Sequence, residues 1–371
     1  MRDKMSGSQN SRIQVQWFGS HPLEGSVSMN VYRDQLWDAR EDSDSIAISC
    51  WPEAGKKISK ASRLIKAKGK YLDYPLRVRN DEGADIVHFL DHSSGYLIPQ
   101  VSKNKKIVAT LHDLIPLRFS TDLSTGQVAR FRKSVSHLLK CDALISVSQY
   151  SKREAIELLG FPEDRIHVVP NGVKVPRDLV GGCEYVQRLR REGGEVVVLS
   201  VGSAQDRKNL DILPKAFESL EQKTGLKAAL LRVGAPLKST LATKLRSVCG
   251  DQFFLEAGRL SEELLWKSYG DCDIVIVPSL YEGFGLPVIE ALACGKGVAA
   301  SNRSSLPEVG GSLVEYFEPE SGEDAGEAMA KLALERDDEV RANQRRRAVG
   351  GLTWRRHLEG VFEVYRLIFE G

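Results

Sequence analysis

Two glutamates and a glycine-rich turn have the types and spacing of a ligand site. The turn is Glu282-Gly283-Phe284-Gly285, and Glu290 lies eight residues after Glu282. Leu286-Pro287 then opens a predicted helix, where a proline in the first turn costs no hydrogen bond. The N–H groups and positive dipole end of such a helix start suit phosphate. Because carboxylates repel phosphate, the glutamates predict a ligand that also offers hydroxyls, such as a sugar.

A second segment supplies positive charge. Gly202-Ser203 ends an apolar run and is followed by Arg207-Lys208. Arginine binds two oxygens as a fork and lysine acts as a point charge, so the pair predicts a clamp for a diphosphate. A solvated helix start is the alternative interpretation of this segment.

Short apolar runs alternate with helical segments, which predicts an α/β fold with parallel sheets covered by helices. Strands are predicted over 13–18, 46–49, 86–89, 107–111, 143–147 and 166–169, and then over 196–201, 228–233, 253–255, 273–277 and 297–300. Proline and glycine interrupt the pattern between the two series. We therefore expect two Rossmann-like domains, 1–175 and 190–354, which face each other across a cleft where ligands bind at the carboxyl ends of the strands.

Bulk composition narrows the class of protein. The chain has 371 residues, a length that suits two domains, and 42% are hydrophobic. A net charge of +2 argues against a nucleic-acid partner. Six scattered cysteines without a CxxC pair predict free thiols in a reducing compartment. With no apolar run of transmembrane length and a polar N-terminus, a cytoplasmic location is expected.

The stretch from Glu282 to Gly310 resembles the donor-site signature of family 4 retaining glycosyltransferases. The residues that carry the resemblance are Glu282, Gly283, Phe284, Gly285, Pro287, Glu290, Ala291, Gly295, Ser301, Ser304, Ser305, Pro307, Glu308 and Gly310. The resemblance implies the GT-B architecture of two Rossmann-like domains. It also implies that the helix over 355–371 crosses back to the first domain, against the alternative that it packs only on its own.

By this resemblance, the donor is a nucleotide diphosphate sugar and several residues bind it. Lys208 and Arg207 would hold the pyrophosphate, Glu282 the sugar hydroxyls, Glu290 the ribose, and His112 would orient the donor. The remaining donor-binding positions are Gly202, Ser203, Gly283, Phe284, Gly285, Leu286, Arg259 and Leu260, the last two near the base. Ser203 departs from the family, which often has arginine there.

Three features of the first half of the chain can be interpreted either as structural or as functional. His112, in the sequence HDLIPL, is either a structural histidine or the donor-facing residue of the family. Ser148 or Ser151 is expected to cap the helix that follows, rather than to bind a ligand. Gly25 and Ser26 only weakly resemble a glycine loop near donor and acceptor.

Two charged segments complete the candidates. Asp271 and Asp273 form a DxD pair, but they precede a buried strand at the end away from the glycine turn, so no metal is predicted. Residues 56–79 are strongly basic with a short apolar face. They predict either a solvated surface or contact with an anionic membrane.

Together with the resemblance, these features predict a retaining hexosyltransferase without metal or other cofactor. The HDLIPL and SSLPEV segments resemble those of mannosyltransferases, which implies GDP-mannose as the donor ahead of a UDP-hexose, and the resemblance implies a glycan or polyprenyl-linked saccharide as the acceptor. A non-catalytic sugar-nucleotide-binding partner is the alternative, and a GT-B epimerase or phosphorylase is a further one. A dinucleotide oxidoreductase is disfavoured because neither Trp17–Gly25 nor Val201–Lys208 has the GxGxxG pattern.

Overall fold

The computed structural model describes residues 12–21, 27–41, 45–53, 63–121, 123–176 and 182–371. Within them the strands form two parallel six-stranded sheets. The first sheet holds β1 (Ile13–Phe18), β2 (Ile46–Trp51), β3 (Ile86–Phe89), β4 (Lys106–Leu111), β5 (Ala143–Ser146) and β6 (Ile166–Val168). The second holds β7 (Val196–Gly202), β8 (Ala228–Gly234), β9 (Phe254–Gly258), β10 (Ile274–Val277), β11 (Gly297–Ser301) and β12 (Glu315–Phe317).

Helical segments connect successive strands, as parallel pairing requires; between β3 and β4 the segment is the 3₁₀ helix His92–Gln100. In the first half they are α1 (Val27–Asp38), α2 (Arg63–Lys68), α3 (Tyr74–Arg79), α4 (Ile115–Arg118), α5 (Thr125–Ser136) and α6 (Gln149–Leu159). In the second they are α7 (Glu184–Arg191), α8 (Leu213–Thr224), α9 (Ser239–Cys249), α10 (Glu262–Asp271), α11 (Leu286–Ala293), α12 (Leu306–Gly310), α13 (Gly322–Leu334), α14 (Glu339–Val349) and α15 (Trp354–Glu370).

The predicted α/β fold with two parallel sheets is confirmed, and every predicted strand is present with small shifts at its ends. One strand was missed: β12 has only three residues, too few for a periodic pattern. Phe253 was wrongly included in β9, since it belongs to a 3₁₀ turn, and β9 continues to Gly258 instead.

Strand order in the second sheet indicates where a ligand binds. The order is β12-β11-β10-β7-β8-β9, so β7 and β10 are neighbours in the sheet although β8 and β9 lie between them in the chain. Connections from these two strands leave in opposite directions, which opens a crevice at their carboxyl ends. The loops after β7 and β10 carry the predicted cations and the glycine turn, respectively.

The last helix packs on the first sheet. Tyr365 of α15 accepts a hydrogen bond from the indole N–H of Trp17 in β1 at 2.8 Å. His357, also in α15, lies 2.8 Å from the carbonyl oxygen of Pro170 and 2.8 Å from the hydroxyl of Tyr32. Burial lowers the pKa of His357 to about 4, so the imidazole is neutral and can bond through both nitrogens. The exact domain boundaries stay a prediction.

Among the described residues, no helix combines the length and the apolar composition that a membrane span needs. The six cysteines are free thiols, four of them buried.

Candidate active site

A buried carboxylate between two cations forms the centre of the site. Glu282, just after β10, is 8% exposed. Its Oε2 lies 3.3 Å from a guanidinium nitrogen of Arg207, and its Oε1 pairs with the ammonium of Lys208. Both cations lie in the short 3₁₀ turn Asp206–Lys208 that follows β7. The two loops at the crevice of the second sheet are thus joined by ion pairs.

The charges of this cluster depend on one another. Burial would raise the pKa of Glu282, but attraction to Lys208 and Arg207, with hydrogen bonds from Lys208 and Ser279, outweighs it and holds that pKa below its usual value. Burial lowers the pKa of Lys208, while Glu282 opposes that change. With two cations against one carboxylate, the cluster is positive and suits an anionic ligand.

Serines fix the position of Glu282. Ser279 donates to its carboxylate at 2.7 Å. From the loop after β11, Ser304 accepts from the N–H of Glu282 at 2.9 Å, and Ser305 donates to its carbonyl oxygen at 2.9 Å. Ser304 has a positive φ of 55°, a strained backbone conformation for a residue other than glycine or asparagine. Strain at this position is typical of a functional site.

The glycine turn leads into α11 as predicted. Gly285 has a φ of 101° and precedes the helix, whose first residues are Leu286 and Pro287. No hydrogen bond among the described residues uses the N–H groups of Gly283, Phe284, Gly285 or Leu286. These amides are therefore available to an anion at the helix start. The ring of Phe284 packs in the core of the second half.

Gly283 also touches the first half of the chain. A Cβ at this position would lie 1.9 Å from the carbonyl oxygen of His112, so only glycine fits there. Its own carbonyl accepts from the hydroxyls of Ser148 at 2.7 Å and Ser151 at 3.1 Å. Ser148 caps α6 as predicted, and both serines in addition bind the glycine turn.

His112 lies on the first-half wall of the site, just after β4. Its Nε2 donates to the carbonyl oxygen of Leu90 at 2.9 Å, and its ring meets that of Tyr32 edge-on with centroids 4.6 Å apart. Burial and the neighbouring His92 lower the pKa of His112. A neutral imidazole with its proton on Nε2 leaves Nδ1 as an acceptor.

Tyr281 and Glu308 extend the contact between the halves. The hydroxyl of Tyr281 bonds to the carboxylate of Glu154 and accepts from the N–H of Leu114 at 3.2 Å. The carboxylate of Glu308 accepts from the N–H groups of Gln149 and Tyr150, at 2.7 and 3.0 Å, at the start of α6. A carboxylate stabilises the N-terminus of a helix through its dipole.

The other predicted site residues are distributed around this centre. Glu290 accepts from the hydroxyl of Tyr269 at 2.6 Å, and burial raises its pKa. Arg259 is exposed, and Leu260 is half-buried, in the loop between β9 and α10. Gly202 lies beside Lys208, and Ser203 bonds to the side chain of Gln205 at 3.2 Å.

Asp271 and Asp273 are used structurally. Asp271 accepts from the N–H of Cys183, and Asp273 accepts from the N–H of Val197 at 2.7 Å and pairs with Arg190 at 2.8 Å. Residues Gly25 and Ser26 lie outside the described residues.

Sequence reasoning left out residues that hold the site together. Tyr281, Glu154, Ser279 and Arg232 have structural contacts with it but no motif of their own. Ser304, Ser305 and Glu308 belong to the matched stretch, yet they were given no role. These residues follow β11, and Glu282 follows β10. Because the two strands are neighbours in the sheet, this position in the sequence is a signal that could have predicted their contact with Glu282.

Two family models match this chain. Residues 58–177 match "Glycosyltransferase Family 4", and residues 184–349 match "Glycosyl transferases group 1". Serotype-specific mannosyltransferase WbdA of Escherichia coli is 27% identical over 334 residues, which are 86% of this chain and 40% of that protein. O-antigen chain mannosyltransferase B of Escherichia coli is 28% identical over 61% of this chain and 60% of its own length. The match therefore spans 40% and 60% of the length of these two relatives, less than two thirds in each case.

Solved structures share the fold. Sucrose-phosphate synthase from Thermosynechococcus elongatus has a TM-score of 0.72 at 19% identity and matches 97% of this chain and 100% of its own. Anabaena Alr3699/HepE in complex with UDP and glucose has a TM-score of 0.69 at 16% identity, over 96% of this chain and 100% of its own. The fold is the predicted GT-B fold. Both halves of the chain are thus similar to glycosyltransferases, and the first half matches the family 4 model.

Replacing Glu282 by glutamine tests the ion-pair cluster. The substitution leaves two cations, 14% and 12% exposed, without a counter-charge, so the free energy of unfolding should fall by about 3 kcal/mol at pH 7. Because the pKa of Glu282 is lowered in the folded protein, its stabilisation is present above the ordinary value of 4.5 and is lost as the pH falls through the folded value. Urea unfolding of both proteins from pH 7 to pH 3 should show the difference shrinking below pH 4.5.

Glu218→Gln provides the control, since Glu218 is exposed and pairs with the exposed Lys215. That change should alter stability little at any pH. A Glu282→Gln protein as stable as the wild type at pH 7 would contradict the ion-pair account.

Proposed function

We propose that this protein is a retaining glycosyltransferase that moves a hexose from a nucleotide diphosphate sugar to a hydroxyl group of its acceptor. The observation that carries the proposal is the positive cluster of Arg207, Lys208 and Glu282 beside the glycine turn. It lies at the crevice of the second sheet and against the wall that holds His112. The matches to two glycosyltransferase family models support the class of reaction.

Diphosphate binding follows from the charges and the available amides. The leaving diphosphate would lie between Lys208, Arg207 and the N–H groups of Gly283–Leu286, which stabilise the negative charge as it develops. When the diphosphate binds, Lys208 and Arg207 would pair with it as well as with Glu282. The carboxylate of Glu282 would then be able to bind hydroxyls of the donor sugar. Glu290 would bind the ribose, and the loop with Arg259 and Leu260 the base.

We propose front-face attack, in which the leaving phosphate assists the acceptor hydroxyl as a base. A double displacement needs a nucleophilic carboxylate near the reacting carbon. Glu282 suits that task poorly, because two cations and Ser279 already engage its oxygens. Neutral His112 would contribute by accepting a hydrogen bond from a sugar hydroxyl at Nδ1, not by adding positive charge.

The donor is proposed to be GDP-mannose ahead of a UDP-hexose. Two relatives are named as mannosyltransferases, and one of these as an O-antigen chain enzyme, which supports a glycan or lipid-linked saccharide as the acceptor. The solved structure with UDP and glucose keeps a UDP-hexose as the second choice.

Turnover should not require a divalent metal. Lys208 and Arg207 supply the charge that a cation would bring to the diphosphate, and Asp271 and Asp273 already bind backbone amides. Sugar transfer in excess EDTA should therefore equal transfer in buffer. Loss of transfer in EDTA that added Mg²⁺ restores would contradict this.

Lys208→Ala tests the diphosphate clamp. Removing a positive group that faces the developing charge should lower kcat/KM about 100-fold or more. Circular dichroism and thermal unfolding would establish that the variant is folded. Lys215→Ala, which removes an exposed lysine of the same half, should retain wild-type turnover. Near-normal turnover by Lys208→Ala would refute the assignment of the site.

We also propose that α2 and α3 contact an anionic membrane, which would bring a lipid-linked acceptor to the first half. The described part of the predicted basic segment, residues 63–79, exposes large apolar side chains: Ile65 at 56%, Tyr71 at 58%, Leu72 at 52% and Leu76 at 47%. Lys68, Arg77 and Arg79 are exposed on the same segment. Exposed apolar groups among cations fit the surface of an anionic bilayer. Residues 56–62 of the predicted segment lie outside the described residues.

Flotation with vesicles tests this surface. The wild type should float with phosphatidylglycerol vesicles at low salt. The double variant Tyr71→Ser/Leu72→Ser should float several-fold less, because it loses apolar area that the bilayer would bury. Leu334→Ser is the matched control, since Leu334 is 71% exposed in the second half. No flotation of the wild type, or equal flotation of the double variant, would rule the surface out.

A further inference from the structure

We propose that Arg232 is a positioning residue for the diphosphate site: it turns the Gly202–Ala204 backbone so that its N–H groups face the donor. The inference rests on the proposed function, since it adds a second set of backbone donors to the same site. Arg232 lies near the end of β8, next to β7, and would act through the backbone that it holds and not by contact with the ligand.

The side chain of Arg232 is fully buried beneath the loop that follows β7. It is 1% exposed and donates to four main-chain carbonyls. Two of them lie where β7 ends and the loop begins: Gly202, the last residue of β7, at 2.6 Å and Ser203 at 2.9 Å. The other two, Ser200 at 3.1 Å and Val233 at 2.5 Å, anchor the guanidinium to the strands.

Holding these carbonyls fixes the direction of the adjoining amides. In a planar trans peptide the C=O of one residue and the N–H of the next point in opposite directions. With the carbonyls of Gly202 and Ser203 turned to Arg232, the N–H groups of Ser203 and Ala204 point away from it. Neither amide forms a hydrogen bond among the described residues. Two successive N–H groups of this kind make an anion-binding concavity.

Lys208 lies over the same peptide, which places the amides in the proposed diphosphate site. A Cβ at Gly202 would lie 3.6 Å from the Cε and Nζ atoms of Lys208. On the other side, a Cβ at Gly234 would lie 1.9 Å from the carbonyl oxygen of Gly202. Both glycines have positive φ values, 131° and 129°, so the strand ends approach more closely than other residues would allow.

Arg232 keeps its charge and is not fully satisfied by its partners. Burial lowers its pKa to about 10, against the attraction of Glu256, which leaves it protonated at neutral pH. Its Nε is buried without a hydrogen-bond partner. A buried charge with an unpartnered donor is costly for stability, so its presence favours a role in the site.

The test compares Arg232→Met and Arg232→Lys with Arg345→Met. Arg345 is a matched control: it is 5% exposed, lies in the same half, and donates to the carbonyl oxygen of Gly295 away from the loop. Calorimetry would measure the Kd of each protein for GDP, UDP and inorganic pyrophosphate. Steady-state assays would measure kcat and the KM for the donor.

Arg232→Met should raise the Kd for the diphosphate and the KM for the donor about tenfold to a hundredfold, because the amides lose their orientation. Arg232→Lys, which keeps a cation but cannot bind all four carbonyls, should recover part of the loss. Arg345→Met should leave both constants unchanged, although its unfolding temperature falls. If Arg232→Met does not fold, Arg232→Lys provides the test. Its Kd for the diphosphate and its KM for the donor should then be several-fold higher than those of the wild type.

Wild-type Kd and KM in a folded Arg232 variant, or an equal rise in Arg345→Met, would overturn the positioning role. Failure of the proposed function has a different signature, because the wild type would then bind neither GDP nor UDP nor pyrophosphate.

Discussion

The structure of the site depends on one buried ion-pair cluster. Glu282 joins the loop after β10 to the cations in the loop after β7, across the crevice that the strand order creates. Buried charges are costly alone and stable only when they are paired, so neither loop can take up its position without the other. Ser279 in the same loop, and Ser304 and Ser305 in the loop after β11, then fix the position of Glu282.

That cluster is connected directly to the first half of the chain. Gly283, the next residue, packs on the carbonyl of His112, and Tyr281, the preceding residue, bonds to Glu154. Any movement that separates the halves must therefore break contacts on both sides of Glu282. The position of Glu282 is therefore coupled to the closure of the cleft between the halves. Such coupling suits a reaction that must exclude water.

Sequence alone predicted the architecture and marked two loops that lie together in the structure. The alternation of apolar strands and helices predicted both sheets, and the glycine turn with Glu282 and the pair Arg207-Lys208 marked the two loops that meet. What it could not predict were contacts between residues far apart in the chain. The pairing of Glu308 with the start of α6 joins residues more than 150 positions apart, and Arg232 belongs to a strand that reads as core. Such roles depend on sheet order and loop geometry, which periodicity does not encode.

The most direct test is an experimental structure of the protein with bound GDP or UDP. Diphosphate oxygens should lie about 3 Å from the ammonium of Lys208 and from at least one N–H group of Gly283–Leu286. The ribose should lie beside Glu290. A nucleotide bound in another part of the molecule, or one whose diphosphate points away from Lys208 and the glycine turn, would contradict it.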